Sequence, residues 1–210
     1  MIGIVDYGMG NLGSIRRKLD RIKQNNVISD NPDILSQADK LILPGVGHFS
    51  KAVDELKKRC LWDFLNQEVL ENKKPVLGIC LGMQLMAAHS EEGDCEGFGW
   101  FDATVVRFHV SDKLRYKIPH MGWNDVSLLY ESPLFTNVDM SQGFYFVHSY
   151  HIKCNNKHEI LGTTTFDYPF VSAIVRENIV GMQFHPEKSH DAGEMVLRNF
   201  CEEFFNLKQV

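Results

Sequence analysis

No apolar run in the 210-residue sequence approaches the ~20 residues needed to span a bilayer. The N-terminal stretch Met1-Ile2-Gly3-Ile4-Val5-Asp6 has no basic leader and no cleavage site and soon meets an acid, so it reads as a first strand rather than a signal peptide. Positive charge is scarce: 22 Lys+Arg against 27 Asp+Glu leave a net charge of -5, which argues against the basic face that nucleic acid or anionic lipid requires. The five cysteines, at 60, 80, 95, 154 and 201, form no Cys-x-x-Cys pair and no metal-ligand spacing, and their odd number fits a reducing compartment. Internal repeats, low-complexity tracts and linkers are missing too. These absences predict one cytoplasmic globular domain over residues 1–210, with no metal, no cofactor, no nucleic-acid partner and no membrane partner.

What is present is an alternation of strand and helix. Ile2 to Val5 is a buried-strand run, followed by a glycine-rich turn and the helical pattern Leu12, Ile15, Leu19, Ile22. The turn Gly8-Met9-Gly10-Asn11-Leu12-Gly13 fits a dinucleotide fingerprint. The acid which that fingerprint needs at the end of a second strand could only be Asp30, inside the turn-rich Ser29-Asp30-Asn31-Pro32-Asp33. The loop therefore reads as a rim feature where ligands or partners dock. Lys40 to Leu43 is the next strand; it ends at Pro44-Gly45-Val46-Gly47 and precedes an amphipathic helix through Ala52, Val53 and Leu56. A helical stretch from Leu61 to Leu70 then leads to the strand after Pro75. This order favours parallel strands with helices on both faces and chemistry at the strands' C-terminal ends. Beyond the polar loop Ser90-Glu91-Glu92-Gly93-Asp94, short β-like runs take over: 103–108, 125–129, 143–147, 160–166, 171–175 and 179–184, with a short helical turn at 131–135 and a final helix over 192–205. The expected fold is a single three-layer α/β domain with a mostly parallel central sheet and a strand-rich second half.

The chain is organised around Val76-Leu77-Gly78-Ile79-Cys80-Leu81-Gly82-Met83-Gln84. A strand ending in Gly-x-Cys-x-Gly and followed by the helix formers Met83 to Ala88 has the pattern of a nucleophile elbow with a thiol in place of a hydroxyl. Glycines at 78 and 82 permit the sharp turn, and the following helix start favours the thiolate form of Cys80. A buried structural cysteine at a strand end is the alternative. A thiol nucleophile needs a base, and the base needs an orienting group. In Gln183-Phe184-His185-Pro186-Glu187, Pro186 holds His185 extended, and residues two apart on an extended chain project to one side. His185 and Glu187 can therefore complete a Cys-His-Glu triad; the alternative is a strand-end histidine beside a solvated acid. The remaining histidines lack a carboxylate at this spacing and are expected in surface or supporting roles.

The elbow, the Pro-Gly-Val-Gly loop and Gln-Phe-His-Pro-Glu together resemble the triad (class I) glutamine amidotransferases. More narrowly, Val5-Asp6-Tyr7-Gly8-Met9-Gly10-Asn11-Leu12, Pro119-His120-Met121-Gly122-Trp123-Asn124, Phe146-Val147-His148-Ser149-Tyr150 and His185-Pro186-Glu187-Lys188-Ser189 resemble the glutaminase subunit of imidazole glycerol phosphate synthase. The resemblance implies that Cys80 attacks the side-chain amide of glutamine, that His185 relays the proton to departing ammonia, and that Glu187 holds the ring. It implies an oxyanion hole at the N-H groups of Leu81 and Val46, and glutamine contacts at Gly47, Gln84, Ser149 and Tyr150. It also implies a heterodimer with a (β/α)8 cyclase that takes the ammonia in histidine biosynthesis, with Asn11, Met121, Trp123 and Lys188 on the docking face. Two departures, His48 after the Pro-Gly-Val-Gly loop and the bulky Glu96 to Asp102 run, leave open a paralogue serving a synthase of amidated surface sugars. A stand-alone thiol hydrolase would share the elbow and triad but gives no reason for His-Met-Gly-Trp-Asn.

Overall fold

Strands that are apolar throughout, rather than alternating, need cover on both faces, and the first half of the chain supplies that cover with helices. In the computed structural model, which describes residues 1–203, β1 (Ile2–Val5) leads to α1 (Leu12–Arg21), β2 (Asn26–Ser29) to α2 (Pro32–Ser36), and β3 (Lys40–Leu43) to α3 (Phe49–Lys58) and α4 (Leu61–Asn66). A π-helical turn over Gln67–Glu71 extends α4, and β4 (Val76–Ile79) leads to α5 (Leu81–Gln84). The second half is β5 (Ala87–Ser90), β6 (Cys95–Glu96), β7 (Phe101–Arg107), β8 (His120–Asn124), β9 (Ser127–Leu128), β10 (Phe144–His148), β11 (Tyr150–Cys154), β12 (Ile160–Phe166), β13 (Tyr168–Arg176) and β14 (Ile179–Met182), closed by α6 (His190–Glu202).

The main sheet runs β2-β1-β3-β4-β14-β13-β11-β7-β5-β6, with β12 pairing β13 and β9. From β2 through β14 the pairings are parallel; β14 meets β13 antiparallel, as β13 meets β11 and β11 meets β7. Strand β14 therefore lies between the helical half and the strand-rich half and joins them into one sheet. Hydrophobic cores form on both of its faces. On one, Leu35, Ala52, Val53, Leu56, Leu61 and Leu65 of α2, α3 and α4 pack with Val5, Leu41, Leu43 and Val76. On the other, Ile15 and Leu19 of α1 and Val196, Leu197 and Phe200 of α6 pack with Ile2, Ile4, Ile42, Leu77 and Ile79. The odd and even residues of the same strands thus enter different cores, which gives the expected three layers.

The structure departs from the sequence reading in identifiable places. The helix after the elbow is one turn, not a run to Ala88, because the backbone turns out at Leu85–Met86 to form β5. Asn26–Ser29 is a strand, so Asp30 does follow a second strand, but its carboxylate pairs with Arg59 Nη1 at 3.1 Å. The Trp123 segment, read as turn-like, is β8, which pairs antiparallel with β10 in a separate two-stranded sheet. Strand β11 is also absent from the sequence reading. The bulky run at 96–102 has a packing reason: Phe98 is stacked between Trp62 (4.0 Å) and Trp100 (4.4 Å). The end of the expected last helix, Phe204 and Phe205, lies outside the described residues.

Candidate active site

Three loops at the C-terminal ends of β3, β4 and β14 converge on one sulfur. Cys80 has φ +55° and ψ -108°, a conformation that L-residues avoid and that is held only where neighbours over-determine it. The neighbours are close backbones. A Cβ on Gly82 would sit 1.8 Å from the Leu43 carbonyl oxygen, and one on Gly78 would sit 2.7 Å from the Gly82 backbone. The elbow is thus wedged between β3 and β4 with no room for a side chain at either glycine, and Cys80 projects where the free N-H groups of the first turn of α5 begin.

Beyond β14, His185 N-H is fixed to the Tyr145 carbonyl at 2.9 Å and its Nδ1 donates to Glu187 Oε1 at 2.9 Å, both side chains being 1% exposed. Ring nitrogen Nε2 is buried and has the Cys80 sulfur as its neighbour. Burial alone would lower the titration of His185. The negative charge and hydrogen bonding of Cys80, then those of Glu187, outweigh it and push the imidazole up to about 10. The arrangement sets a thiol beside an imidazole with a carboxylate behind the ring. Tyr7, fully buried, donates to the Pro44 carbonyl at 2.7 Å, and both burial and the charge on Cys80 push its phenol well above its ordinary value.

In front of the sulfur is a cavity of about 260 Å³. All seven residues expected around the substrate line it or frame it: Val46, Gly47, Cys80, Leu81, Gln84, Ser149 and Tyr150. Gly47, at φ +114°, adopts a backbone conformation that glycine tolerates best, and the adjoining Val46 is 40% exposed. Gln84 enters differently from the expectation. Both its N-H groups are engaged inside the protein, by the Tyr150 carbonyl at 2.9 Å and Gln183 Oε1 at 3.0 Å, so Oε1 is what it can offer a ligand.

Two features of the wall go unread in the sequence. Glu92 lines the cavity while Oε2 accepts from the Phe49 N-H at 2.9 Å, capping α3 in place of the His48 side chain. His148 also lines it, and with His120 and His151 it is buried rather than at the surface. His148 Nδ1 lies 2.7 Å from the Tyr150 carbonyl and must donate, so its Nε2 accepts from His120 Nδ1 at 3.0 Å, and His120 Nε2 in turn accepts from Asn124 Nδ2 at 3.2 Å. Burial lowers His120 to about 4 and His148 well below its ordinary value, which keeps both neutral. No sequence spacing signals this chain, since it joins residues that meet only through the β8-β10 pairing.

The residues expected to meet a partner lie to one side. Met121 is 62% and Trp123 46% exposed on β8. Trp123 stacks on His190 at 4.6 Å and meets the edge of Tyr145, over whose ring Lys188 Nζ sits at 5.3 Å. Asn11 lies at the start of α1, its side chain making no cap hydrogen bond.

Residues 3–204 match the family model described as glutamine amidotransferase class-I. The chain is 47% identical over 203 residues to "Imidazole glycerol phosphate synthase subunit HisH 2" of Methanococcus maripaludis, covering 97% of this chain and 100% of that protein. It is 43% identical to the subunit HisH 2 of Pseudomonas aeruginosa (96% and 99% covered) and 45% identical to the subunit HisH of Sulfurimonas denitrificans (99% and 100%). Among solved structures, a glutamine amidotransferase superposes with TM-score 0.73 at 17% identity, covering 96% of this chain and 97% of that one. A second glutamine amidotransferase, from Thermotoga maritima, superposes with TM-score 0.64 at 17% identity, with 98% of each chain covered.

Proposed function

Because the chain belongs to the class-I glutamine amidotransferase family, we propose that it hydrolyses glutamine to glutamate and ammonia through a thioester on Cys80, as the glutaminase subunit of imidazole glycerol phosphate synthase. The observation that carries the reaction is the buried His185–Glu187 pair set behind a strained, glycine-wedged Cys80. His185 takes the thiol proton, the sulfur attacks the amide carbon and the carbonyl becomes an oxyanion. The N-H of Leu81, free of intrahelical bonding at the start of α5, and the N-H of Val46 receive that charge. His185 then protonates the nitrogen, the C-N bond breaks and ammonia leaves; water, deprotonated by the now neutral imidazole, cleaves the thioester. Glu92 and Gln84 Oε1 are acceptors for the α-ammonium group of glutamine, and the Gly47, Ser149 and Tyr150 walls enclose its backbone.

Ammonia released into water would be protonated and lost, so the product passes to a (β/α)8 cyclase subunit in a cytoplasmic heterodimer. Asn11, Met121, Trp123 and Lys188 form the docking face, an aromatic anchor with a cation beside it. The test is ammonia production by the purified chain with its co-expressed cyclase. Cys80→Ser should abolish it in a folded protein, and retained activity would overturn the nucleophile. A second reading has its own support: two relatives are named subunit "HisH 2". In that reading the ammonia serves a synthase of amidated surface sugars. Growth of a histidine auxotroph lacking its glutaminase subunit decides between them, since only the first reading restores it.

A further inference from the structure

A fully buried glutamine next to the nucleophile has no packing rationale. Gln183 is 0% exposed between Met182 and Phe184, and burying an amide costs several kcal/mol unless its hydrogen bonds are met. Its backbone N-H is already spent on the Ser172 carbonyl at 2.9 Å. Its side chain bridges Gln84 and the catalytic sulfur: Oε1 accepts from Gln84 Nε2 at 3.0 Å, and Nε2 lies 3.6 Å from Cys80 Sγ.

The orientation of both amides follows from one backbone group. The Tyr150 carbonyl can only accept, so the end of Gln84 that lies 2.9 Å from it must be the NH2. The second hydrogen of that NH2 points at Gln183, which must present oxygen there and hence turns its own NH2 to the sulfur. A flip of Gln84 would set oxygen against oxygen, and a flip of Gln183 would set its NH2 against that of Gln84. The Tyr150 carbonyl is itself held from the other side by His148 Nδ1 at 2.7 Å.

We propose that Gln183 is a catalytic residue, a side-chain N-H donor that stabilises negative charge on the Cys80 sulfur, with Gln84 as the positioning residue that keeps the donor turned toward it. The role deepens the glutaminase reading above and rests on it for its place in turnover. Negative charge sits on the sulfur twice in the cycle: before attack, and again when water cleaves the thioester and the C-S bonding pair returns to sulfur while His185 takes the water proton. Gln183 serves both moments.

The experiment is the pH dependence of Cys80 carboxamidomethylation by iodoacetamide, read by peptide mass spectrometry with the exposed Cys60 as internal control. A hydrogen bond to a charged group is worth enough to move such a profile by about one to two pH units. In Gln183→Met, which keeps the volume without the donor, the Cys80 profile should move that far toward alkaline pH while that of Cys60 stays in place. A Cys80 midpoint unchanged in folded Gln183→Met overturns the proposal. If that variant fails to fold, Gln84→Met, which frees Gln183 to turn, must move the midpoint in the same direction by less, and no movement overturns it. The wild-type protein gives a third measure: the side-chain N-H resonances of Gln183 must shift when Cys80 is alkylated. Because alkylation needs no glutamine, a wild-type chain without glutaminase activity would defeat the functional reading and leave this result standing, whereas a static midpoint would remove Gln183 alone.

Discussion

His185 sits between two groups that carry negative charge, and their separate removal has different consequences. The Cys80 contribution to its raised titration is the larger, so in Cys80→Ala the imidazole should titrate well below its wild-type value of about 10, as followed by NMR of the ring. Imidazolium is the acid that protonates departing ammonia, so glutamine hydrolysis should persist on the alkaline side and fall only as pH rises through about 10. Glu187→Gln removes the smaller upward contribution and the charge that stabilises imidazolium. Turnover should drop roughly 10²-fold or more, and the alkaline fall should move to lower pH. Steady-state rates across pH check both, and a Glu187→Gln enzyme with an unmoved alkaline limb would mean that something else holds the ring. At this scale the Cys-His-Glu pattern is legible from sequence and His185 is extended as Pro186 requires, but Glu187 reaches the ring from a 3-10 turn over Pro186–Lys188 and not from the extended chain expected. Glu92, Gln183 and the His120–His148 pair are not legible, because each acquires its role from a partner tens of residues away.

Glycines decide how closely the elbow can approach its neighbours, and the structure separates those that lack space from those that only need an unusual torsion. Gly82→Ala would force a methyl against the Leu43 carbonyl at 1.8 Å, backbone against elbow, and should cost about 3 kcal/mol or more in a urea titration while abolishing activity. Gly99→Ala, with φ +67° and nothing within 4 Å, should cost only about 1 kcal/mol and leave activity intact. Equal losses would mean that the close approach at the elbow relaxes easily. The same contrast explains which elements can be read from sequence. Strands β1, β3, β4 and β14 are apolar and punctuated by glycine, so pattern alone finds them. Strand β8 exposes Met121 and Trp123, has Gly122 between them and stands in a sheet of two, so only its pairing with β10 makes it a strand. The helix after Cys80 stops early although Leu85, Met86 and Ala87 are good helix formers: backbone N-H groups of Phe98 and Phe101 claim the Leu85 and Met86 carbonyls.

For the whole molecule, we expect the Val46 loop and the proposed docking face to set how hydrolysis is coupled to use. Gly45 is packed against Tyr7 and Leu81 while Gly47 stands at φ +114°, so we expect the Val46 peptide to turn on its Gly47 side, and a partner that contacts two orientations of the loop differently would choose between them. The isolated chain should therefore be a poor glutaminase, stimulated about 10²- to 10³-fold by its cyclase with bound nucleotide, the worth of one oxyanion donor. Equal ammonia production with and without the partner would remove the switch. Trp123→Ala should weaken association roughly 30-fold, as calorimetry would show, without altering the fold. The position of β14 between β4 and β13 has a consequence in time as well as in space. During synthesis at about 5–20 residues per second, the hundred or so residues separating the nucleophile from its base take roughly 5 to 20 s to emerge. Throughout that interval β4 is an open edge and its sulfur an ordinary thiol, because the strand that will cover the one also carries the imidazole for the other. A ribosome-bound chain that has not yet made His185 should therefore consume no glutamine, and β8 and β10, which carry Met121, Trp123 and Tyr145 of the proposed docking face, are made before it.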